Sequence, residues 1–207
     1  MYHFYSKILI QTDNKLKKII LLVFFGTLLI SCCEDEIVAS YRLNESERNL
    51  IPFTEYSRLN YKNQNGEKLI GLTQPKENKI AVVDSGPETC DLREYESMNN
   101  FIAFENRDFV FEIVLNKAND DLLFFEINES ILDSVNSQKK FLLDCERASI
   151  YKEEYIVNVS LMGFNFENVF IFKDCNNASE IKQIVYSKER GIEFIEYDNE
   201  NYLRLND

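Results

Sequence analysis

NNFIAFENRDFVFEIVLNKANDDLLFFEIN, residues 99–128, carries the pattern on which the fold turns. Apolar side chains recur at every second position through Phe109, Phe111, Ile113 and Leu115. That period belongs to a strand with one buried face, because successive side chains in a strand point to opposite sides. The stretch reads as three strands, 99–105, 107–115 and 122–128, the first two meeting near Asn106 and KANDD turning the chain before the third.

The same signals extend in both directions. YSRLNYKNQNGEKLIGL, 56–72, reads as two strands about Asn65-Gly66, a dipeptide suited to the positive φ angles of a type I′ turn. A strand follows at 79–83, with a turn at Ser85-Gly86-Pro87. Further strands are expected at 155–161, 168–174, 181–187, 191–197 and 202–205; the last pair is joined by Asp198-Asn199-Glu200-Asn201, which lacks the expected glycine. Residues 129–151 are ambiguous. Ile131, Leu132 and Val135 could share a helical face, whereas KKFLLDC alone resembles a strand. One short helical segment is expected within 43–53, capped by Asn44 with Glu47 three residues on, and stopped by Pro52. About ten short strands and hardly any helix make the fold class mostly β, an antiparallel β-sandwich or irregular barrel with a short N-terminal helical segment. Sixteen phenylalanines and eleven tyrosines suit it, since aromatic residues favour strands.

The compartment is set by KLKKIILLVFFGTLLISCCEDE, residues 15–36. Lys15, Lys17 and Lys18 precede a twelve-residue apolar run, Ile19 to Ile30. A membrane-spanning helix needs about 20 apolar residues, so the run reads as the h-region of a signal peptide. Leu29-Ile30-Ser31-Cys32 resembles a bacterial lipobox, in which cleavage precedes the cysteine and that cysteine carries diacylglycerol through a thioether and usually an acylated amine. The resemblance implies lipidation at Cys32, with Cys33 as the rival position. Several acyl chains make a durable bilayer anchor. The acidic residues Glu34, Asp35 and Glu36 resemble the lipoprotein export signal of Bacteroidota, which implies the outer membrane and its outer face. The expected organisation is a signal peptide over 1–31, a lipidated tether over 32–42 and one domain over 43–207.

Removing residues 1–31 takes four lysines and Asp13 and leaves 176 residues, 19 basic and 34 acidic, with a net charge of −15. This charge opposes nucleic-acid binding, which needs a basic footprint. The only histidine, His3, leaves with the leader. A mature chain without histidine has no Ser-His-Asp or Cys-His site and no His-ligated zinc. Carboxylate pairs, a lysine nucleophile and oxygen-ligated metals remain as chemistry.

Of the five cysteines, Cys145 and Cys175 end similar apolar runs, FLLDC and IFKDC, and are the preferred disulfide partners; Cys90 and Cys33 are then free or joined to each other. Pairing is not fixed by sequence, and each cysteine alternatively reads as a small buried apolar group.

YRLNESERNLIPF near the start and YSKERGIEFIEYDNENYLRL near the end resemble the opening and closing motifs of small Bacteroidota lipoproteins of unknown function. Tyr41, Leu43, Glu47, Leu50, Ile51 and Pro52 match the opening. Tyr186, Gly191, Ile192, Phe194 or Ile195, and Asp198 match the closing, with Tyr202 where the family often has tryptophan and Asn199 where it has glycine. The resemblance implies a cell-envelope location and a mostly β fold, and brings no activity.

No residue is assigned a catalytic, cofactor-binding or metal-binding role, and no cofactor is expected. Asn119 with Asp120 and Asp121, and the 198–201 turn, are oxygen-rich but lack the spacing of a calcium loop. Glu126 with Glu129, or Glu153 with Glu154, could form acid/base carboxylate pairs, although 34 acidic residues make such neighbours common by chance. Asn44, Asn158 and Asn177 fall in N-glycan sequons, and Asp133-Ser134-Val135 resembles a Bacteroidota O-glycosylation site. The functional expectation is an envelope lipoprotein with a binding or structural role, its partners the bilayer and an envelope protein or glycan. A carboxylate-dependent glycan hydrolase and an immunity-type lipoprotein are the alternatives.

Overall fold

A computed structural model describes residues 35–86, 90–105, 107–131, 138–146 and 150–206. The leader, Cys32, Cys33, Leu132, Asp133-Ser134-Val135 and Pro87 lie outside the described residues. The chain divides into two units, 1–36 with 84–91, and 37–83 with 92–207. In the first, the Glu36 amide donates to the Cys90 carbonyl at 3.0 Å and the Ser85 amide to the Asp91 carbonyl at 2.9 Å.

The second unit is a closed antiparallel barrel of ten strands: β2 (Ser57–Asn63), β3 (Lys68–Thr73), β5 (Asp91–Phe104), β6 (Phe109–Lys117), β7 (Leu123–Ile131), β8 (Lys139–Leu142), β10 (Phe164–Asp174), β11 (Ile181–Ser187), β12 (Gly191–Tyr197) and β13 (Tyr202–Leu205). Around the wall the order is β5-β3-β2-β13-β12-β11-β10-β8-β7-β6, and pairing of β6 with β5 closes the ring. Three strands lie outside it: β1 (Glu36–Tyr41) and β4 (Glu77–Asp84) pair with β5, and β9 (Val157–Leu161) pairs with β10. The alternation in 99–128 makes the central hairpins, Ile102 facing Phe111 across β5 and β6, and Leu115 facing Phe125 across β6 and β7. Of the two architectures left open by sequence, closure selects the barrel.

The inside is apolar and packed. Phe125 sits edge-on to Phe172, Phe170 and Tyr186 at centroid distances of 4.9, 5.4 and 5.4 Å, a geometry in which positive ring edges meet negative ring faces. Outward positions on β6 and β7 carry Glu112, Glu126 and Asn128. Among the described residues no helix is long and apolar enough to cross a membrane. A second, smaller cluster, Phe166, Val169, Val185 and Phe194, lies where the β9–β10 hairpin folds over the outer face of β11 and β12.

One barrel end is closed by the segment Leu43–Phe53. Its helix α1 (Glu45–Arg48) has the expected capping box: the Asn44 side chain accepts from the Glu47 amide, and the Glu47 carboxylate accepts from the Asn44 amide. Leu43, Leu50 and Ile51 are buried in the core. Backbone carbonyls brought into the barrel need donors. Tyr186 donates to the Leu50 carbonyl at 2.8 Å, and Lys76 donates to those of Arg48 and Ile51 at 3.0 and 3.1 Å. Phe53 packs on Gly191, where a Cβ would lie 2.6 Å from the ring; with φ at +76°, glycine is required twice over.

Several expectations change. Residues 36–41, read as tether, form β1 and pair with β5, with Tyr41 against the Tyr95 ring at 5.4 Å. The turn at Asn65-Gly66 is not type I′, because Asn65 keeps negative φ and only Gly66, at +80°, is left-handed. The Gly66 amide donates to the Asn63 carbonyl and the Asn63 amide to that of Glu67, the longer turn-plus-bulge hairpin. Ile131 ends a strand, and KKFL is a strand, which resolves the ambiguous region toward β where it is described.

Candidate functional site

Antiparallel closure brings the ends of β2, β7 and β12 and the starts of β3, β6, β8, β11 and β13 together at the barrel end opposite α1. There the wall surrounds a cavity of about 380 Å³. Leu69, Phe109, Ile181 and Leu203 supply its apolar lining, and Asn63, Gln64, Asn199, Asn201, Tyr197 and Tyr202 supply amides and phenols. Charged groups are Arg107, Lys139, Glu129 and Glu180.

Two turns build the rim, and they hold each other. In the β12–β13 turn the Tyr197 amide donates to the Asn201 carbonyl at 2.9 Å and the Glu200 amide to the Tyr197 carbonyl at 3.2 Å, the pattern of the 63–67 turn. Gln64 donates through its amide to Asn201 Oδ1 and accepts from the Tyr202 backbone N–H. These bonds leave the side-chain N–H groups of Asn199 and Asn201 unused.

Glu129 projects inward from β7 and is buried. Ser179 donates to its Oε2 at 2.8 Å, and the Lys139 ammonium stands 3.6 Å from the same oxygen. The Tyr197 hydroxyl has its pKa pushed up to about 12, first by burial and then by the Glu129 charge, while Arg107 acts in the opposite direction. Among the described residues the Tyr197 hydroxyl makes no hydrogen bond and the Arg107 guanidinium has no ion-pair partner.

Glu126 lies on the outer face of β7, paired with Lys140 at 3.1 Å, while Glu129 faces inward. Glu153 and Glu154 are exposed in a 3₁₀ turn, Glu154 with Lys152 at 3.3 Å. Asn119 Oδ1 accepts from the amides of Asp121 and Leu122, a turn closed on itself. Among the described residues no group of three or more His, Cys, Asp and Glu side chains is placed to hold a metal ion. The sulfurs of Cys145 and Cys175 are joined, with their Cα atoms 5.3 Å apart, and Cys90 is disulfide-bonded as well. Of the sequons, Asn44 is occupied in capping, and Asn158 Oδ1 accepts from the Asn168 amide.

Sequence reasoning missed the mouth. Arg107, Lys139, Ser179 and Tyr197 come from separate stretches; Ser179 falls in a sequon and Tyr197 within the closing stretch, and neither context marks a binding site. Only the polar turns NQNG (63–66) and DNEN (198–201) gave a local signal. Comparison of the chain with protein-family models, curated proteins and solved structures finds no match.

Proposed function

We propose that this chain is a lipid-anchored protein of the bacterial cell envelope whose barrel mouth binds a glycan. The observation that carries the binding reading is the contrast between the two barrel ends. One is filled by Leu43–Phe53, while the other keeps a cavity of about 380 Å³ rimmed by amides and phenols with unused donors. A concave site with an apolar floor and a few fixed polar groups suits a small ligand unit. Amide groups both donate and accept, as sugar hydroxyls do. The lipid anchor rests on the basic and apolar leader and on Leu29-Ile30-Ser31-Cys32; the disulfide between Cys145 and Cys175 is consistent with an oxidising compartment.

A hydrolytic reading has less support. Each buried glutamate, Glu47, Glu96, Glu129 and Glu196, has a cationic partner, in Lys117, Arg48, Lys139 and Lys182 respectively. A general acid in glycoside hydrolysis is instead kept protonated by an apolar site.

Two measurements test the proposal. Intact-mass analysis of protein from its native membrane, beside Cys32→Ala, should give a chain beginning at Cys32 with acyl mass added, and no such species for the variant. The detergent-solubilised protein on an array of bacterial glycans should bind a subset of them, and Asn199→Ala together with Asn201→Ala should abolish that binding. An unmodified chain retaining residues 1–31 overturns the anchor, and an array without signal overturns the glycan.

A further inference from the structure

The mouth combines two unused hydrogen-bond donors within a strongly acidic protein. Formal net charge is −12, so a cation in a cavity would be expected to find a carboxylate. Lys139 does, in Glu129, whose other contact is the Ser179 hydroxyl. Among the described residues Arg107 does not, although Glu180 lies in the same cavity. Its guanidinium is close enough to the Tyr197 hydroxyl to act on that group's ionisation. Like any tyrosine this phenol is protonated at neutral pH and can donate, and burial moves its ionisation further from that range. Tyr197 and Arg107 line the same cavity, and a hydroxyl and a guanidinium that have no hydrogen-bond or ion-pair partner among the described residues are complementary to an anionic acceptor brought by a ligand.

We propose that the mouth recognises a carboxylate on its ligand, with Arg107 forming the planar two-pronged contact and Tyr197 Oη donating a third hydrogen bond. Arginine matches a carboxylate with two parallel N–H donors, which supplies geometry as well as charge. The apolar lining of Leu69, Phe109 and Leu203 then receives the body of the sugar and the Asn199 and Asn201 amides its hydroxyls. The ligand is therefore a glycan bearing a uronic acid. This inference rests on the glycan reading above and names the sugar class for the same site.

The test compares glucuronate-terminated and glucose-terminated oligosaccharides of equal length, titrated calorimetrically into the full-length protein, into Arg107→Gln and into Tyr197→Phe. Arg107 is exposed, and Tyr197→Phe retains the ring, so both variants should fold; circular dichroism and Tm check this. The expected result is a preference of about tenfold or more for the glucuronate probe, lost in Arg107→Gln and reduced in Tyr197→Phe. Raising the salt concentration should erode the preference. Equal binding of the two probes by wild type and both variants overturns the carboxylate while leaving the glycan reading in place. Failure of both probes to bind, with the array also silent, removes the glycan reading and this inference with it.

Discussion

Lys117, at the end of β6, meets the Glu47 carboxylate of α1 at 2.5 Å where both side chains are almost fully buried, and it also donates to the Asp120 carbonyl at 2.9 Å. This pair joins the plug to the barrel wall. Removing one partner leaves a charge without compensation in a low-dielectric site, which costs about 3–5 kcal/mol. Lys117→Met should therefore lower the urea midpoint sharply. Glu47→Gln with Lys117→Met should recover part of the loss, since two neutral groups carry no unpaired charge. Equilibrium unfolding of the three variants checks this, and a double variant as weak as Lys117→Met would contradict it.

Stability should fall steeply in alkali. Burial raises the pKa values of Tyr61, Tyr186 and Tyr197, the first two fully inside the barrel and donating to the Ile192 and Leu50 carbonyls. Above pH 10, the ordinary tyrosine value, the unfolded chain loses phenolic protons that the folded chain retains. The unfolded state then binds fewer protons, so stability is complete below pH 10 and declines as pH rises beyond it. Urea unfolding from pH 8 to pH 12 should show the decline, and Tyr186→Phe should make it shallower while lowering stability at neutral pH through loss of the Leu50 hydrogen bond.

The disulfide between Cys145 and Cys175 ties the segment after β8 to the end of β10, two strands that are already paired. It closes a loop across a sequence separation of 30, for which chain entropy gives about 2–4 kcal/mol. Cys145→Ser with Cys175→Ser should unfold at correspondingly lower denaturant and with an unchanged barrel signature in circular dichroism. An unaltered midpoint would mean that native pairing of β8 with β10 holds the segment without the bond.

The strands were readable because their burial is periodic. Phe109, Phe111, Ile113 and Leu115 announce one buried face, and the neighbouring stretches repeat the signal. Asn44 and Glu47 announced the cap because both partners lie within four residues. Ring closure was not readable, since the pairing of β5 with both β3 and β6 is a long-range choice that an individual strand does not encode. The strand at 36–41 escaped for a related reason: its side chains are mostly exposed, so EIVASY has no buried period to display, and its pairing with β5 is what makes it a strand. The mouth escaped because it is assembled at the rim, one or two residues from each strand end. Glu129 and Ser179, 50 positions apart, acquire meaning only once β7 and β11 are placed around the same opening.

Glu200 occupies in the β12–β13 turn the place that Gly66 takes in the β2–β3 turn, with φ of 62° against 80°. A side chain in that left-handed region crowds its own carbonyl, which costs about 1–2 kcal/mol, whereas glycine escapes the clash. Part of that gain is offset, because glycine also frees the unfolded chain. Glu200→Gly should therefore stabilise the protein by about 0.5–1 kcal/mol, raising Tm by about 1–4 °C for a domain of this size. The residue sits beside Asn199 and Asn201, whose backbone positions the substitution preserves through the Tyr197–Asn201 hydrogen bond. Ligand affinity at the mouth should consequently stay within about twofold, well inside the 1.4 kcal/mol that separates tenfold changes. Differential scanning calorimetry and a glycan titration on one preparation measure both quantities. A lower Tm would show that the left-handed turn is held against glycine's added freedom by contacts of the Glu200 side chain, and the comparison with Gly66 would not apply.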